Sequence, residues 1–515
     1  MSVPPFSERL EQLFAYTDDC PPFSDAEANT LIDAIDSCKI LDPACGSGAF
    51  PMGILHKLVF ILAKLDPDNA RWKQKQIDKA EQILDATSRE TAIAAIEKDF
   101  ETNNLDYGRK LYLIENCIYG VDIQPVAIQI SKLRFFISLI CDQRTNRNKA
   151  QNCGVRPLPN LETKFVAANT LIALDKGKDN KGNTLLFDKR LPDLERKLKN
   201  VRHKHFAAQR RQDKLRLQDK DAELREQIAA VLKDDGMSSN ASRQLAAWDP
   251  YDQNLSADFF DPEWMFGVRE GFDVVIGNPP YGFRKVLSKD EKKYFRKVEK
   301  IRFPSGDVAE LFIIKTLSNL VSDEGQLTFI IPKKSLYGDS WSNVRTIWTK
   351  NSLRFLMDAS QAFDNVLLEQ VAFMLKKRPL VNGANVIVGC LNSDTESISI
   401  FGKYPLRTLF TKQMNCAQIY RGGYPQCLLD KIDSNALNDS AKVLKAEIGI
   451  SNITSHLTFQ ADGNHPCVKG IDIVRYGLKS KTRYLKGEVA ERFVEEYGHA
   501  KLLAQEIIAH IKNPY

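Results

Sequence analysis

One short stretch of the sequence places an amide, two prolines and an aromatic ring directly after an apolar segment. Residues 271–282 read GFDVVIGNPPYG. Phe272 to Ile276 predicts a short buried strand, and Gly277 to Tyr281 ends it, because glycine and proline do not continue a central strand. The pattern therefore predicts that the rim of a sheet carries Asn278, Pro279, Pro280 and Tyr281.

These four residues are suited to binding an amino group on a flat ring. The Asn278 amide oxygen can accept one amine hydrogen, and the Pro279 carbonyl, held by a stiff backbone, can accept a second. Tyr281 offers an aromatic face for stacking. Such acceptors also stabilise the positive charge that develops on a nitrogen attacking a methyl donor. A proline-rich turn after a strand has the same composition, so this stretch alone leaves both interpretations open.

A second stretch combines an acid with glycines. The residues from Lys39 to Asp42 predict a strand, and Gly46 and Gly48 predict a tight turn that passes close to a ligand before a helix begins near Ala49. The stretch lacks the Gly-Lys-Ser/Thr of a phosphate loop and the three spaced glycines of a dinucleotide fingerprint. An acid followed by small residues suits a cationic ligand that bears an amino acid. An ordinary glycine-rich turn of an α/β protein is the alternative.

A third candidate is Asp122, which ends a predicted strand beginning at Cys117 and precedes a predicted helix from Val126 to Leu139. An acid at this place in a doubly wound fold holds the two hydroxyls of a ribose. Taken alone, Asp122 is more typical of a helix N-cap. Its position after the glycine turn favours the ribose.

The elements that would position these residues alternate between strands and helices, which predicts an α/β fold. Ser24 and Glu27 predict a capping box for a helix that runs to Ser37. Further strands are predicted at residues 164–167, 326–331 and 353–357, and a hairpin of residues 367–375 with 385–391 is predicted to form an antiparallel edge. Helices are predicted at residues 285–301 and 333–348. Between Leu186 and Asp235 the dense charge and helical leucine spacing predict one or two long surface helices.

Composition sets the broad class. The chain has 515 residues, 43% of them hydrophobic and 27% charged, which is typical of a globular protein with more than one domain. It shows neither a signal peptide nor an apolar run of membrane-spanning length. Its 10 cysteines are scattered without zinc-ligand spacing, which indicates reduced thiols in the cytoplasm and no metal. The net charge of +6 is compatible with a polyanionic partner but does not require one.

Taken in order on successive strands, Asp42 to Phe50, Asp122 and Asn278 to Tyr281 resemble the N6-adenine DNA methyltransferases of the gamma arrangement. The greatest similarity within them is to the methylase part of Type IIG restriction-modification enzymes. The resemblance covers about residues 38–400 and returns at Val468 to Tyr476, which looks like the opening of that family's target-recognition domain. Single motifs of this set are permissive, whereas the ordered set is specific.

The resemblance implies a Rossmann-like methyltransferase sheet with an antiparallel edge hairpin, and S-adenosylmethionine as methyl donor. The residues that it places around the donor are Asp42, Pro43, Ala44, Gly46, Gly48, Phe50, Asp122, Ile123, Asn169, Asp307 and Phe312. Asn169 would hold the donor's adenine amine, although many relatives carry aspartate there. Asn278, the Pro279 carbonyl and Tyr281 would hold a target adenine flipped out of duplex DNA, with Phe363 as second stacking ring. Neither a metal nor a covalent enzyme intermediate is implied.

The implied domains are a short helical lead at residues 1–38, a catalytic domain at 39–400 with helical insertions at about 66–110 and 172–250, and a partial target-recognition domain at 401–515. The lead is too short for the nuclease domain of bifunctional relatives and lacks their Thr-Pro segment, so cleavage is not expected. The C-terminus resembles the middle of a recognition domain. We therefore expect that a partner polypeptide could supply the rest of this domain or a nuclease.

Two other functions are compatible with the same sequence. The Asn-Pro-Pro-Tyr geometry also serves methylation of a protein glutamine or of a base in RNA, although the large insertions and a second domain favour duplex DNA. A protein of another class, an inactive DNA-recognition subunit of a split restriction-modification enzyme, is compatible with the missing N-terminal segment.

Overall fold

The computed structural model describes residues 4–410, apart from the gaps given next, and five short strands beyond them. Residues left out between 4 and 410 are 20, 83–85, 87–88, 91–92, 95, 98–104, 146, 156–158, 175–189, 209, 235–238, 283–286, 361–367, 380–382 and 393–396. The chain divides into two compact units, Met1–Gly423 and Tyr424–Tyr515.

Helices and strands alternate through the first unit. The helices are α1 (Phe6–Phe14), α2 (Asp25–Ser37), α3 (Ala49–Leu65), α4 (Ala70–Glu81), α5 (Leu105–Asn116), α6 (Pro125–Cys141), α7 (Arg190–Ala207), α8 (Arg211–Asp234), α9 (Ser239–Ala247), α10 (Pro262–Phe266), α11 (Lys289–Lys293), α12 (Val308–Asn319), α13 (Ser342–Lys350) and α14 (Leu406–Leu409). The strands are β1 (Ile40–Asp42), β2 (Ile118–Asp122), β3 (Phe165–Ala167), β4 (Phe272–Gly277), β5 (Val321–Pro332), β6 (Asn351–Asp358), β7 (Gln370–Pro379), β8 (Asn385–Asn392) and β9 (Ser397–Pro405). Among these residues no helix is both long and apolar enough to cross a membrane.

All nine strands of this unit form one sheet in the order β3-β2-β1-β4-β5-β7-β6-β8-β9. The first five of these run parallel, with Ile40 opposite Ile118 on one side and opposite Val274 on the other. β7 lies antiparallel between β5 and β6. Because parallel strands need crossovers, helices cover both faces, and two clusters of buried apolar side chains fill the space between helices and sheet.

The predicted fold class, an α/β methyltransferase-like sheet with an antiparallel edge hairpin, is confirmed, but different strands form the hairpin. The predicted pairing of residues 367–375 with 385–391 is wrong, because β6 separates β7 from β8. Instead β7 enters the sheet between β5 and β6, and the edge hairpin consists of β8 and β9. Alternation of apolar residues identifies a strand but not its neighbours, which is why the predicted pairing is wrong.

Several element boundaries also differ from the prediction. β5 begins at Val321 rather than Gln326 because the register shifts by a bulge against β4. The helix predicted for residues 285–301 is limited to α11 and a following π-helical turn, Tyr294–Val298. The helix predicted from Lys333 begins with two short 3-10 turns and becomes regular only at Ser342.

The charged insertion is helical as predicted, but only part of the charge on its helices is exposed to solvent. α7 and α8 pack together and bury charged as well as apolar groups. The Asp221 carboxylate is fully buried and accepts hydrogen bonds from Arg202 Nε at 2.8 Å and Arg225 Nε at 2.7 Å. A buried carboxylate shared by two guanidinium groups is stable only because all partners are present. Charge density in the sequence could not reveal this, since exposed and buried ion pairs have the same composition.

The second unit is described only in short strands. Leu457–Thr458 and Asn464–Cys467 both pair antiparallel with Arg483–Lys486, and Ile473–Val474 pairs with Gly477–Leu478. Most of the segment from Val468 to Tyr476, which resembles the opening of a recognition domain, lies outside the described residues. The predicted domain boundary after residue 400 stays a prediction, and β9 crosses that position.

Candidate functional site

The acid-and-glycine loop between β1 and α3 has the conformation that its sequence predicts. β1 ends at Asp42, and Gly46 and Gly48 adopt positive φ angles of 53° and 81° that favour glycine. The Cys45 N–H donates to the Val121 carbonyl at 2.9 Å, which fixes the loop to the end of β2. A Cβ atom added at Gly46 would meet nothing within 4 Å. The loop therefore borders open space on one side.

Asp42 is the most perturbed acid of this loop. Its side chain is almost fully buried, and its Oδ1 accepts the Ala44 N–H at 3.1 Å. Burial raises the pKa of the Asp42 carboxyl to about 8, with a smaller contribution from the negative charge of Asp122. A cation bound beside Asp42 would favour its ionised form.

Asp122 connects two loops at the carboxyl ends of β1 and β2. One carboxylate oxygen, Oδ2, accepts the Gly46 N–H, and the other, Oδ1, accepts the Gln124 N–H, both at 2.9 Å. The alternative role of Asp122 as a helix N-cap is not found, because the N-cap of α6 is Gln124. The carboxylate instead binds the Gln124 N–H and orders the glycine loop. Each oxygen retains a lone pair for a further donor such as a ribose hydroxyl.

Two hydroxyl groups that the sequence analysis did not identify also hold the loop. Ser131 on α6 donates to the Gly46 carbonyl at 2.9 Å, and a Cβ atom at Gly48 would lie 2.8 Å from its Oγ. Thr170 donates to the Pro43 carbonyl at 2.7 Å. Serine and threonine are too common for their role to be recognised without the fold.

The Asn278 corner and the acid-and-glycine loop meet at Gly277. β4 pairs with β1, and a Cβ atom added at Gly277 would lie 2.5 Å from Asp42 Oδ1. Only glycine fits between the strand end and the carboxylate, which brings Asn278 directly beside the loop. Gly277 stands immediately before Asn278 in the sequence, but its role depends on a strand distant in the chain.

Within the corner, the side chains of Asn278 and Tyr281 bind each other. The Tyr281 hydroxyl donates to Asn278 Oδ1 at 2.6 Å. Burial raises the pKa of Tyr281, so its hydroxyl stays protonated and acts as the donor. Asn278 and Tyr281 are half-buried, Pro279 is buried and Pro280 is exposed. The corner is therefore reachable from solvent, although the Asn278 oxygen already accepts one hydrogen bond.

Asp307 ties this corner to the helix that follows. It is the N-cap of α12, accepting the Ala309 N–H at 3.0 Å, and it also accepts the Gly282 N–H at 3.2 Å. Burial raises the pKa of the Asp307 carboxyl. Phe312, one helical turn further, is buried. Asp307 thus orders the exit of the corner by two backbone hydrogen bonds.

The other predicted site residues lie around the same edge. Asn169 follows β3, and its Oδ1 accepts the Leu171 N–H at 3.1 Å. Ala44 and Phe50 are half-buried, and the Ile123 side chain is exposed beside Asp122. Phe363 lies outside the described residues. The roles of all these residues toward ligands stay predictions.

The chain is similar to known proteins of restriction-modification systems. Residues 116–363 match the family model described as Eco57I restriction-modification methylase. A protein of Methanocaldococcus jannaschii, named as a type II restriction enzyme and methyltransferase, RM.MjaORFECS2P, is 26% identical over an alignment that covers 88% of this chain and 40% of the relative. The chain thus spans less than half the length of that relative.

Solved structures give more distant likenesses. The Type IIL restriction-modification enzyme MmeI in complex with DNA is 11% identical, with a TM-score of 0.37, covering 89% of this chain and 46% of that chain. The M protein of the Type I restriction enzyme EcoKI is 11% identical, with a TM-score of 0.28, covering 73% and 49%. The family match confirms the predicted resemblance to restriction-modification methylases.

Proposed function

We propose that this chain is a DNA methyltransferase that transfers a methyl group from S-adenosylmethionine to the N6 amine of an adenine flipped out of duplex DNA, in the cytoplasm and as part of a restriction-modification system. The observation that carries this proposal is the contact at Gly277, which joins the acceptor corner to the acid-and-glycine loop. A methyl donor bound at the loop and an amine bound at Asn278 would therefore be neighbours, and proximity of this kind accounts for a large part of a transfer rate.

The residues of the loop fit the donor. Gly46 faces open space, so no side chain obstructs a ligand there. The buried Asp42 carboxylate and the Asp122 oxygens provide acceptors for an ammonium group and for ribose hydroxyls. When bound, the donor would supply a methyl group on its sulfonium: the S–CH3 bond breaks as the N–CH3 bond forms, the sulfur leaves as a neutral thioether, and the amine loses one proton to water.

The chain's own residues act on the amine. Asn278 Oδ1 and the Pro279 carbonyl would each accept one of its hydrogens, and both bonds become stronger as positive charge develops on the nitrogen. Tyr281 would stack on the base, which offsets part of the few kcal/mol that flipping costs. For the target to bind in this way, the Tyr281 hydroxyl must release Asn278 Oδ1 or share it.

The proposal is tested by incubating the full chain with tritiated S-adenosylmethionine and unmethylated genomic DNA, and by identifying the product. We expect N6-methyladenine from the wild type and none from Asn278→Ala, while calorimetry shows S-adenosylhomocysteine binding equally to both. Equal transfer by Asn278→Ala would mean that the amine is held elsewhere.

The same assay separates the other functions. Transfer to RNA or to a protein glutamine instead of DNA would replace the proposed substrate. DNA binding with no transfer to any substrate would support a recognition subunit. If the separate chain is inactive, addition of the host's cell extract shows whether a partner polypeptide restores transfer.

A further inference from the structure

A cavity of about 450 Å³ lies at the edge of the sheet opposite the candidate site. Its lining includes Lys39, Asn116 and Lys164. These residues lie at the beginnings of β1, β2 and β3, respectively. The candidate donor residues follow the same three strands at their other ends. The cavity is completed by α7 and α10, so that it belongs to the space between the sheet and the helical insertion.

The charges around this cavity are unbalanced. Its three lining carboxylates have partners: Glu115 contacts His203 at 2.6 Å, an ion pair when that histidine is protonated, and Glu195 and Glu263 share Arg269. The lining lysines have no carboxylate partner among the described residues, and Lys39 Nζ donates to the neutral Asn116 carbonyl at 2.6 Å. Within the described part of the chain, no carboxylate forms an ion pair with Lys39, Lys164 or Lys199.

Lys164 is the most unusual of these cations. Its Nζ lies 4.9 Å from the centre of the Tyr119 ring. Burial lowers the pKa of the Lys164 amine to about 8, and the nearby charges of Lys39 and Lys199 lower it further, against the opposing effects of Glu115 and Cys117. An anion in the cavity would relieve this repulsion and favour the charged amine.

Two further donors in the cavity wall lack partners. The side chains of Arg202 and Trp264 line the cavity, but Arg202 Nη2 and Trp264 Nε1 are buried beneath its surface and have no acceptor among the described residues. Aromatic side chains of Tyr119, Phe206 and Phe266 supply an apolar wall as well.

We propose that this cavity binds a small phosphate ester of about mononucleotide size. A phosphate supplies the negative charge that balances the three lysines, and its oxygens accept hydrogen bonds from their ammonium groups. The volume lies within the range of small-molecule sites, and the aromatic wall suits an organic group attached to the phosphate. This site is separate from the proposed donor site, because the two lie at opposite ends of β1, β2 and β3.

The test is calorimetric titration of the full chain with inorganic phosphate and with uridine 5′-monophosphate, at constant ionic strength. A pyrimidine nucleotide is chosen because it does not mimic the adenine of the proposed methyl donor. We expect one site per chain, with the ester binding more tightly than inorganic phosphate. Lys164→Gln should weaken binding at least tenfold, and Lys199→Gln, at an exposed helical position that does not endanger folding, by a few fold.

The matched control is Lys350→Gln, an exposed lysine on α13 remote from the cavity lining, which should leave binding unchanged. Absence of saturable binding of both probes to the wild type up to 10 mM would overturn the proposal. So would equal affinities of the wild type, Lys164→Gln and Lys199→Gln. Because the readout is phosphate binding and not methyl transfer, the result is independent of the proposed function.

Discussion

The hydrogen bond between Tyr281 and Asn278 separates two roles of the tyrosine. The hydroxyl binds the amide oxygen that the target amine is proposed to need, while the ring is proposed to stack on the base. Tyr281→Phe removes the first interaction and keeps the second. Tyr281→Ala removes both.

The size of each effect follows from the interactions concerned. A neutral hydrogen bond of this kind contributes about 0.5–1.5 kcal/mol, so its removal should make Asn278 Oδ1 more available and leave kcat/KM unchanged or raised by up to roughly 13-fold. Loss of the stacking ring costs about 1–3 kcal/mol, which lowers kcat/KM by roughly 5- to 150-fold in Tyr281→Ala relative to Tyr281→Phe.

Both variants are measured by tritiated methyl transfer to unmethylated genomic DNA, with S-adenosylhomocysteine affinity as the control for an intact donor site. A loss of kcat/KM in Tyr281→Phe as large as that in Tyr281→Ala would refute the reasoning. It would show that the hydroxyl, rather than the ring, is what the reaction requires.

Three other changes test the structure around this corner. Gly277→Ala should weaken S-adenosylhomocysteine binding at least tenfold, because the new Cβ would lie 2.5 Å from Asp42 Oδ1; unchanged calorimetric affinity would contradict the contact. Since burial raises the pKa of Asp42 to about 8, the affinity for the cationic donor should increase from pH 6 to 8 and then level off. A Kd that does not vary with pH would argue against binding of the donor by the ionised Asp42 carboxylate. Without donor, the raised pKa of Asp42 should lower the free energy of unfolding of the wild type, relative to Asp42→Asn, as pH rises from about 4 to 8. The reason is that the folded state holds the Asp42 proton more tightly than the unfolded state does. Urea unfolding at several pH values measures this difference. Asp221→Asn should lower the free energy of unfolding by about 3–5 kcal/mol because two buried arginines lose their shared partner. Glu223→Gln, exposed on the same helix, is the control and should leave the midpoint of urea unfolding unchanged. Equal urea midpoints for the wild type and Asp221→Asn would show that the buried cluster contributes nothing to stability.

Local sequence signals predicted the local structure well. The capping box is present, with the Glu27 N–H bound to Ser24 Oγ and α2 ending at Ser37 as predicted. The strand that ends at Asp42 and the helix that begins at Ala49 are also confirmed. Caps, glycine turns and strand ends depend on residues a few positions apart, so a single sequence contains the information.

Interactions between distant segments could not be predicted in this way. The pairing of β7 with β5 and the contact of Gly277 with Asp42 join residues that are far apart in the chain, and the buried Asp221 carboxylate joins Arg202 of α7 to Arg225 of its own helix. The Tyr281 hydrogen bond is local, yet it depends on the side-chain conformation that the corner adopts. The ordered set of motifs predicted which residues form the candidate site, but not how their side chains bind each other.

The position of β4 has a consequence for the synthesis of the chain. β1 pairs with β2 on one side and with β4 on the other, yet β4 follows β1 by a long stretch that includes the helical insertion. At translation rates of about 5–20 residues per second, β1 waits on the order of 10–50 s for this neighbour. During that time a nascent chain exposes a strand edge that can pair with other chains. The segment that carries Asn278 is therefore also the one that closes this edge, and the ribosome delivers it late.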